Sequence, residues 1–228
     1  MRTHDDFMRD ADATSSPLHH APDRSPDEDR RKKTRTIHPA SQTCRDWMIV
    51  SGNVHYARDQ ASFVPSTYTP VHTPIKSNIF NPLDEMVVAG IGTVHLTVPR
   101  GVNDPSTHTI VLENVLHIPE ALCNGFNPLL VGSSMSCLAD RWEGCDRFGR
   151  GMWYGTRFCG LGRLVLAPGP DGQAESDLIE GREYTLSLYV SAQEKAAVAE
   201  QVQAQAQRQA GGMMGQVNGI GMGQGMMM

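Results

Sequence analysis

The stretch MVVAGIGTVHLTVPR, residues 86–100, decides the fold class. In its second half the apolar side chains Val94, Leu96 and Val98 alternate with threonine and histidine. A period of two is typical of a β-strand that is buried on one face. The sequence THTIVLENVLHIPEAL, residues 107–122, follows after a break that contains proline and glycine, and it predicts two further short strands.

Short apolar runs continue on both sides of this region. The run WMIV, residues 47–50, lies upstream, and the Gly-rich aromatic stretch GMWYGTRFCGLG, residues 151–162, lies downstream. Strands at intervals of roughly ten residues, with Gly and Pro between them, predict an all-β sandwich or barrel over residues 47–190. The remaining predicted strands are Leu129–Gly132, Arg163–Leu166 and Tyr184–Val190.

The two ends of the chain differ from this middle region. Residues 1–46 hold nine Lys or Arg, nine Asp or Glu and almost no large aliphatic residue, which predicts a disordered charged arm. Residues 191–210 are rich in Ala, Gln and Glu without Gly or Pro, and they predict a helix with a thin apolar stripe. Residues 211–228 consist mainly of Gly and Met and predict a disordered low-complexity tail.

Charge and cysteine content exclude several classes of protein. The middle region carries the whole net charge of −5, which argues against binding of a phosphate backbone by the barrel. The chain has neither an 18-residue apolar window nor a basic and then apolar N-terminus, so we expect no membrane contact and an intracellular protein of the nucleus or cytoplasm. Five cysteines without a CxxC pair favour reduced thiols, and their spacing predicts no metal site and no cofactor.

A basic run in the arm is the clearest targeting motif. Residues 30–35, RRKKTR, follow an acidic segment directly and match a nuclear import signal or a nucleic-acid patch. The alternative is a solvated charge block that pairs with its own acidic half. The basic residues concerned are Arg30, Arg31, Lys32, Lys33 and Arg35.

Three strings, in this order and at these separations, resemble the protease-like β-barrel of Copia-type retrotransposon Pol polyproteins. They are WMIVSGNVHYARDQASF at residues 47–63, VAGIGTVHLTV at residues 88–98 and LENVLHIPEALCNGFNPLLVG at residues 112–132. The resemblance implies a small closed β-barrel of the retropepsin-like type. In that family an Asp-Ser-Gly turn lies at a dimer axis, and each subunit supplies one carboxylate and one glycine-rich flap.

The resemblance also locates the catalytic position, and this chain has no acid there. The family's Asp-Ser-Gly turn corresponds to Val50, Ser51 and Gly52, and the alternative register, counted back from His55, places Ile49 at the acid position. Two aspartates that share a proton are what activates water in these proteases. We therefore expect no catalysis, because neither Asp46, which precedes the strand, nor Asp59, which lies outside the turn, replaces the missing acid.

The glycines of the second string match the family's flap. Gly90, Ile91 and Gly92 would form a flap that closes over a peptide, whereas the simpler alternative is a twisted hairpin with glycine at a bulge. A catalytically silent barrel with such a groove would bind an extended peptide by strand addition.

Three functions remain open from the sequence. The first is a non-catalytic, transposon-derived module that binds a partner, either an extended peptide or a second copy in a homodimer. The second is an active aspartic endopeptidase that uses an unexpected acid. The third is a nuclear nucleic-acid-associated protein that acts through the basic run, with the barrel as a dimeriser. A triad of Ser51, His55 and Asp59 has little support, because no GxSxG elbow accompanies it.

Overall fold

The computed structural model describes residues 43–76, 85–167, 173–174, 176–182, 184 and 186–214. Within these residues lie one α-helix, α1 (Ala192–Met214), three short 3-10 helices and twelve strands, so the prediction of a mostly β protein with a C-terminal helix is confirmed. The strands are β1 (Thr43–Cys44), β2 (Trp47–Ile49), β3 (Tyr56–Ala57), β4 (Thr69–Lys76), β5 (Glu85–Gly101), β6 (Asp104–His117), β7 (Asn124–Phe126), β8 (Ser136–Cys137), β9 (Arg141–Cys145), β10 (Gly151–Phe158), β11 (Leu161–Leu164) and β12 (Gln173–Ala174).

Ten of these strands form one sheet in the order β4-β5-β6-β3-β7-β2-β11-β10-β9-β8. The pairs β2–β7 and β3–β6 are parallel, and the other ladders in this sheet are antiparallel. The sheet curls, since the N–H of Ala167, beyond β11, donates to Thr97 O on β5 at 2.8 Å. Among the described strands no ladder joins β4 to β8, so the closed barrel stays a prediction.

The hairpin β5–β6 contains the sequence that predicts the fold. Val94, Leu96 and Val98 are buried while the residues between them are partly or fully exposed, as the alternation predicts. The two strands predicted within residues 107–122 are a single strand, β6, with a bulge near its end. The pairing register between β5 and β6 shifts between Gly92 and Val94, because β6 has one extra residue there. Asn114 of β6 adopts a φ of 54° at this bulge, and the strand continues beyond it.

Buried side chains divide into two cores. The first core includes Met48, Val50, Val54, Tyr56, Val88, Leu116, Ile118, Leu186, Leu188, Val190 and Val198. The second core includes Trp47, Ile49, Ala57, Phe63, Val94, Leu96, Val98, Ile110, Leu112, Phe126 and Trp153. Successive residues of β2 alternate between the two cores, because side chains of a strand point to opposite faces in turn.

The prediction of a strand at Leu129–Gly132 is wrong. Residues Pro128–Val131 form a 3-10 helix, and Leu129 and Leu130 are 66% and 50% exposed. Pro128 suits the first position of a helical turn, the Asn127 side chain accepts a hydrogen bond from Leu129 N–H, and Gly132 ends the turn with a φ of 69°. The local capping residues therefore outweigh the aliphatic run.

The folded region begins before residue 47, the boundary that the sequence suggests. Strand β1 pairs in parallel with β12 at the register Thr43–Gln173. Cys44 is only 1% exposed, so this segment belongs to the core and not to the arm.

Helix α1 begins with a capping box. The Ser191 N–H donates to Glu194 Oε2 at 2.8 Å, and the Glu194 N–H donates to Ser191 Oγ at 3.2 Å. The helix packs on β4 through Val198, which is 3% exposed. No helix in the described part of the chain has the length and hydropathy that a membrane span needs.

The side chains of α1 also pair with the backbone of β4. The Gln201 amide accepts from His72 N–H at 2.7 Å and donates to His72 O at 3.0 Å, and Glu194 Oε1 accepts from Lys76 N–H at 2.8 Å. Pro70 and Pro74, at the alternate positions of the strand, have no N–H at all. Every second residue of β4 from Pro70 to Lys76 is therefore either a proline or a residue whose N–H is bonded to α1.

Candidate functional site

The turn after β2 is the candidate site, and both registers place an aliphatic residue at the acid position. Val50 is 6% exposed and belongs to the first core, and its N–H donates to Phe126 O at 2.9 Å. Ile49 is 7% exposed and belongs to the second core. Neither position offers a group that can bind water or exchange a proton.

Gly52 shows why the turn retains a glycine. Its φ is +121°, and a Cβ at this position would lie 2.3 Å from the carbonyl oxygen of Leu188. Both the backbone angle and the close approach of the Leu188 backbone exclude a larger residue. The contact with Leu188 is also a parallel β-bridge, so the turn is held by a distant segment.

This distant segment, Leu186–Val190, is called the covering segment below. The Asn53 N–H donates to Leu188 O at 3.2 Å, and the Asn53 side chain both donates to Val190 O at 2.7 Å and accepts from Val190 N–H at 2.8 Å. Leu186, Leu188 and Val190 are 2%, 0% and 2% exposed, and they belong to the same core as Val50. The chain's own backbone thus pairs with the turn.

Ser51 is exposed and pairs with a second serine. Its Oγ lies 2.7 Å from Ser187 Oγ, and its N–H donates to that same oxygen at 3.2 Å. No base is within this hydrogen-bonded pair, so nothing in it activates Ser51 as a nucleophile.

His55 points into the core and not toward Ser51. It is 3% exposed, stacks on Phe126 with the ring planes at 11°, and its Nδ1 accepts from Asn127 N–H at 3.1 Å. Burial lowers the pKa of His55 to about 4. The imidazole is therefore a neutral acceptor, and Ser51, His55 and Asp59 have separate partners and form no triad.

The two nearest carboxylates hold other parts of the chain together. Asp46 accepts from the N–H of Ser176 at 3.2 Å and from its hydroxyl, and Asp46 Oδ1 lies 3.5 Å from Arg163 Nη1. Asp59 Oδ2 accepts from Cys44 N–H at 2.7 Å and lies 3.5 Å from Arg58 Nε. Each carboxylate fixes a segment next to the sheet, and neither lies on the turn itself.

Sequence reasoning missed a buried polar network beneath the turn. Asn124 is 0% exposed, accepts from Arg58 N–H at 2.8 Å and donates to Cys44 O at 2.8 Å. Asn127 donates from its side chain to Gly52 O at 3.0 Å. Both asparagines flank the glycine and phenylalanine of β7, and an Asn next to Gly predicts a turn from sequence. Their role in linking neighbouring segments becomes visible only from the position of β7 between β2 and β3 in the sheet.

Gly90, Ile91 and Gly92 lie in the middle of β5, and no hairpin tip includes them. They pair with Leu116 and its neighbours on β6 and, at Gly90 and Ile91, with β4 as well. A Cβ on Gly90 would lie 2.3 Å from the Tyr68 ring, whose hydroxyl lies 2.7 Å from His117 Nδ1. The register shift after Gly92 comes from the extra residue of β6 near Asn114, so a bulge lies opposite the glycines and not at them. A role as a peptide flap stays a prediction.

The thiols and other potential ligands are dispersed. The five cysteines are free, and burial raises the pKa of Cys44 to about 11 and also raises that of Cys123. In the described ranges no three His, Cys, Asp or Glu side chains converge as a metal site would require. The basic run at residues 30–35 lies outside the described residues.

Comparison with known proteins gives no further assignment: no protein family, curated protein or solved structure matches this chain.

Proposed function

We propose that this chain is a non-catalytic, retropepsin-like β-barrel of transposon origin that acts as an interaction module. The observation that carries the proposal is the environment of Val50. This residue replaces the catalytic aspartate of the Copia-type pattern, and its side chain is buried among aliphatic residues of the first core. The curl of the sheet, which brings Ala167 to Thr97 on β5, supports the barrel part of the proposal.

The covering segment supports the absence of a protease site. In a retropepsin-like dimer the space over the turn belongs to the partner's turn and to the substrate. Here Ser187 and Leu188 of the same chain pair with Ser51, Gly52 and Asn53. A second turn would have to displace three buried aliphatic side chains, so a homodimer that joins through this turn is disfavoured.

The neighbouring acids do not supply the missing chemistry. A retropepsin mechanism needs two carboxylates close enough to share one proton, with a water between them and the scissile carbonyl. Asp46 and Asp59 instead accept backbone N–H groups from separate segments of the chain and lie beside Arg163 and Arg58. Because each carboxylate is held by different partners, the contacts of Asp46 and Asp59 argue against a dyad that shares one proton and one water.

The test is a proteolysis assay with the full chain. Purified protein is incubated with an unfolded protein substrate at acidic and neutral pH, with and without pepstatin. We expect no pepstatin-sensitive cleavage. Cleavage that pepstatin blocks, and that the variants Asp46→Asn or Asp59→Asn abolish while a Ser51→Ala control retains it, would establish the endopeptidase alternative and overturn the proposal.

A further inference from the structure

Among the residues that the structure describes, no strand pairs with one edge of the distal half of the β5–β6 hairpin. β6 pairs with β3 only at Leu116 and His117, near its C-terminal end. Residues 107–111 lie beyond this ladder and pair with β5 alone. Their other edge faces away from β5.

The direction of the peptide groups along this edge follows from β5. Thr97 O accepts from Ala167 N–H, so Thr97 directs its backbone groups away from β6. In an antiparallel ladder the residue opposite does the same, and that residue is Thr109. Pro99 opposes Thr107 two residues further along, and a proline without an N–H fits such a position.

Thr107, Thr109 and Val111 therefore direct their N–H and C=O groups toward an open edge. All three side chains are exposed, and Val111 is 48% exposed. In the described part of the chain no hydrogen bond reaches these N–H groups from outside the hairpin. The opposite face of β6 packs in the second core, where Ile110 and Leu112 are 4% and 0% exposed.

The other edges of the sheet are less accessible. On β4, Gln201 and Glu194 of α1 pair with His72 and Lys76. The opposite edge strand, β8, contains only Ser136 and Cys137. Native proteins block or shorten edge strands because an open edge is a template for pairing. Within the described ranges, the edge at Thr107–Val111 has neither protection.

We propose that this edge pairs with the same edge of a second copy of the chain. Antiparallel pairing about a two-fold axis at Thr109 would join Thr107 to Val111 of the second copy, and the strand would form three hydrogen-bonded pairs across the axis. The proposal rests on the proposed function in one respect, since it gives the interaction module its partner.

Three features favour a second copy over an unrelated peptide. The segment Ser106–Leu112 contains no charged residue, no proline and no glycine, so no like charges oppose each other within the paired stretch. Threonine and valine on the exposed face suit cross-strand pairing in a sheet. An edge strand is also complementary to itself in the antiparallel direction, and the pair closes on itself without forming a fibre.

The first test is sedimentation equilibrium of the full chain over a wide concentration range. We expect a reversible monomer–dimer equilibrium. The variant Thr109→Pro removes the central N–H from each copy without removing a bond to β5, and we expect the dissociation constant to rise about tenfold or more. The variant Ser136→Lys places a charge on the β8 edge instead and should leave the equilibrium unchanged.

A charge exchange identifies the second copy as the partner. Thr109→Lys and Thr109→Glu each place two like charges opposite one another across the axis, so each variant alone should dimerise more weakly than the parent. An equimolar mixture should recover dimers that contain one of each. Amide exchange at Thr107, Thr109 and Val111 should slow as the concentration rises.

Three results would overturn the proposal. They are a pure monomer at the highest soluble concentration, a dimer that Thr109→Pro leaves intact, and a dimer that Ser136→Lys dissociates, which would place the interface at β8. None of these results bears on the proteolysis assay, so failure of this inference and failure of the proposed function are distinguishable.

Discussion

The turn at Val50–Asn53 and the edge at Thr107–Val111 differ in whether other parts of the chain cover their backbone. At the turn, the backbone of Asn53 and its side chain bond to the covering segment, and Gly52 has no space for a side chain. At the distal edge, three exposed residues direct peptide groups outward. The resemblance places the catalytic position at the turn, and the covering segment of the same chain closes that turn. The accessible backbone lies instead on β6, where the sequence shows only the alternating pattern of a strand.

The difference between the two regions concerns the source of stability. The turn depends on long-range pairing with residues about 136 positions away, and the distal edge depends on its neighbour in a hairpin. Substitutions of the enclosed turn residues Val50 and Gly52 should therefore cost stability, and substitutions at the edge should cost association only. The following predictions test this contrast, in order of decreasing effect.

The largest effect is expected for Val50→Asp. A carboxylate in this aliphatic environment should lower the free energy of unfolding by about 4 kcal/mol at neutral pH and should produce no protease activity. Burial would raise the pKa of the new carboxyl above its unfolded value, so the folded state holds a proton that the unfolded state has released. The loss should shrink as the pH falls toward 4, which urea denaturation at several pH values would measure.

Ser51→Asp is the matched control, since its side chain is exposed one residue further along. It should change stability by about 0.5 kcal/mol or less. If both variants are equally stable, Val50 does not occupy a closed core.

Gly52→Ala should lower the free energy of unfolding by about 3 kcal/mol, because it combines a positive φ with a clash against Leu188 O. Gly149→Ala separates the two contributions. Gly149 has a φ of +76° and nothing within 4 Å of its ideal Cβ, so only the backbone cost of about 1 kcal/mol should remain. Thermal and urea unfolding would measure both, and equal losses would mean that the covering segment moves aside freely.

The buried imidazole predicts a pH dependence. The pKa of His55 is lowered from 6.5 to about 4, so below pH 6.5 the unfolded chain takes up a proton that the folded chain refuses. The free energy of unfolding should therefore fall by roughly 3 kcal/mol as the pH drops from about 6.5 to 4. Burial also lowers the pKa of His117, which adds to the slope in the same direction.

His55→Asn keeps an acceptor for Asn127 N–H and removes the titrating group, so the slope between pH 6.5 and 4 should decrease. His95→Asn, at an exposed position of β5, should leave the slope as it is. An unchanged slope in the first variant would show that His55 is hydrated.

The smallest effect is expected at the protected edge. Gln201→Ala removes two hydrogen bonds to His72 and should cost about 1 kcal/mol. Gln207→Ala, on the exposed side of the same helix, should be neutral. If the first variant also strengthens self-association, then α1 blocks pairing at β4, and the contrast with β6 becomes sharper.

Local pattern predicts the parts of this fold that depend on neighbours in sequence. The alternation at Val94, Leu96 and Val98 predicts the buried face of β5, and the Ala- and Gln-rich stretch predicts α1. The aliphatic run at Leu129 and Leu130 fails as a predictor, because Asn127, Pro128 and Gly132 favour a helical turn there.

The candidate site was predictable in position but not in its surroundings. Val50, Ser51 and Gly52 could be located from the pattern that resembles the Copia-type turn. The period of two at Leu186, Leu188 and Val190 predicts that the covering segment is extended, but its pairing with Gly52 could not be predicted, because neither segment carries a local signal for so distant a partner. Asn124 was equally hidden, since an Asn next to Gly is more typical of an exposed turn than of a fully buried strand.

The covering segment has a consequence for the order in which the chain assembles. Ser51 and Ser187 are 136 residues apart, and at ordinary rates of synthesis the ribosome needs roughly 10 s to produce that interval. Throughout this time Met48, Val50 and Val54 lack the aliphatic side chains that later enclose them. Nascent chains of this protein should accordingly recruit holdase chaperones until the last third is translated, and a premature stop before Leu186 should yield an aggregating product.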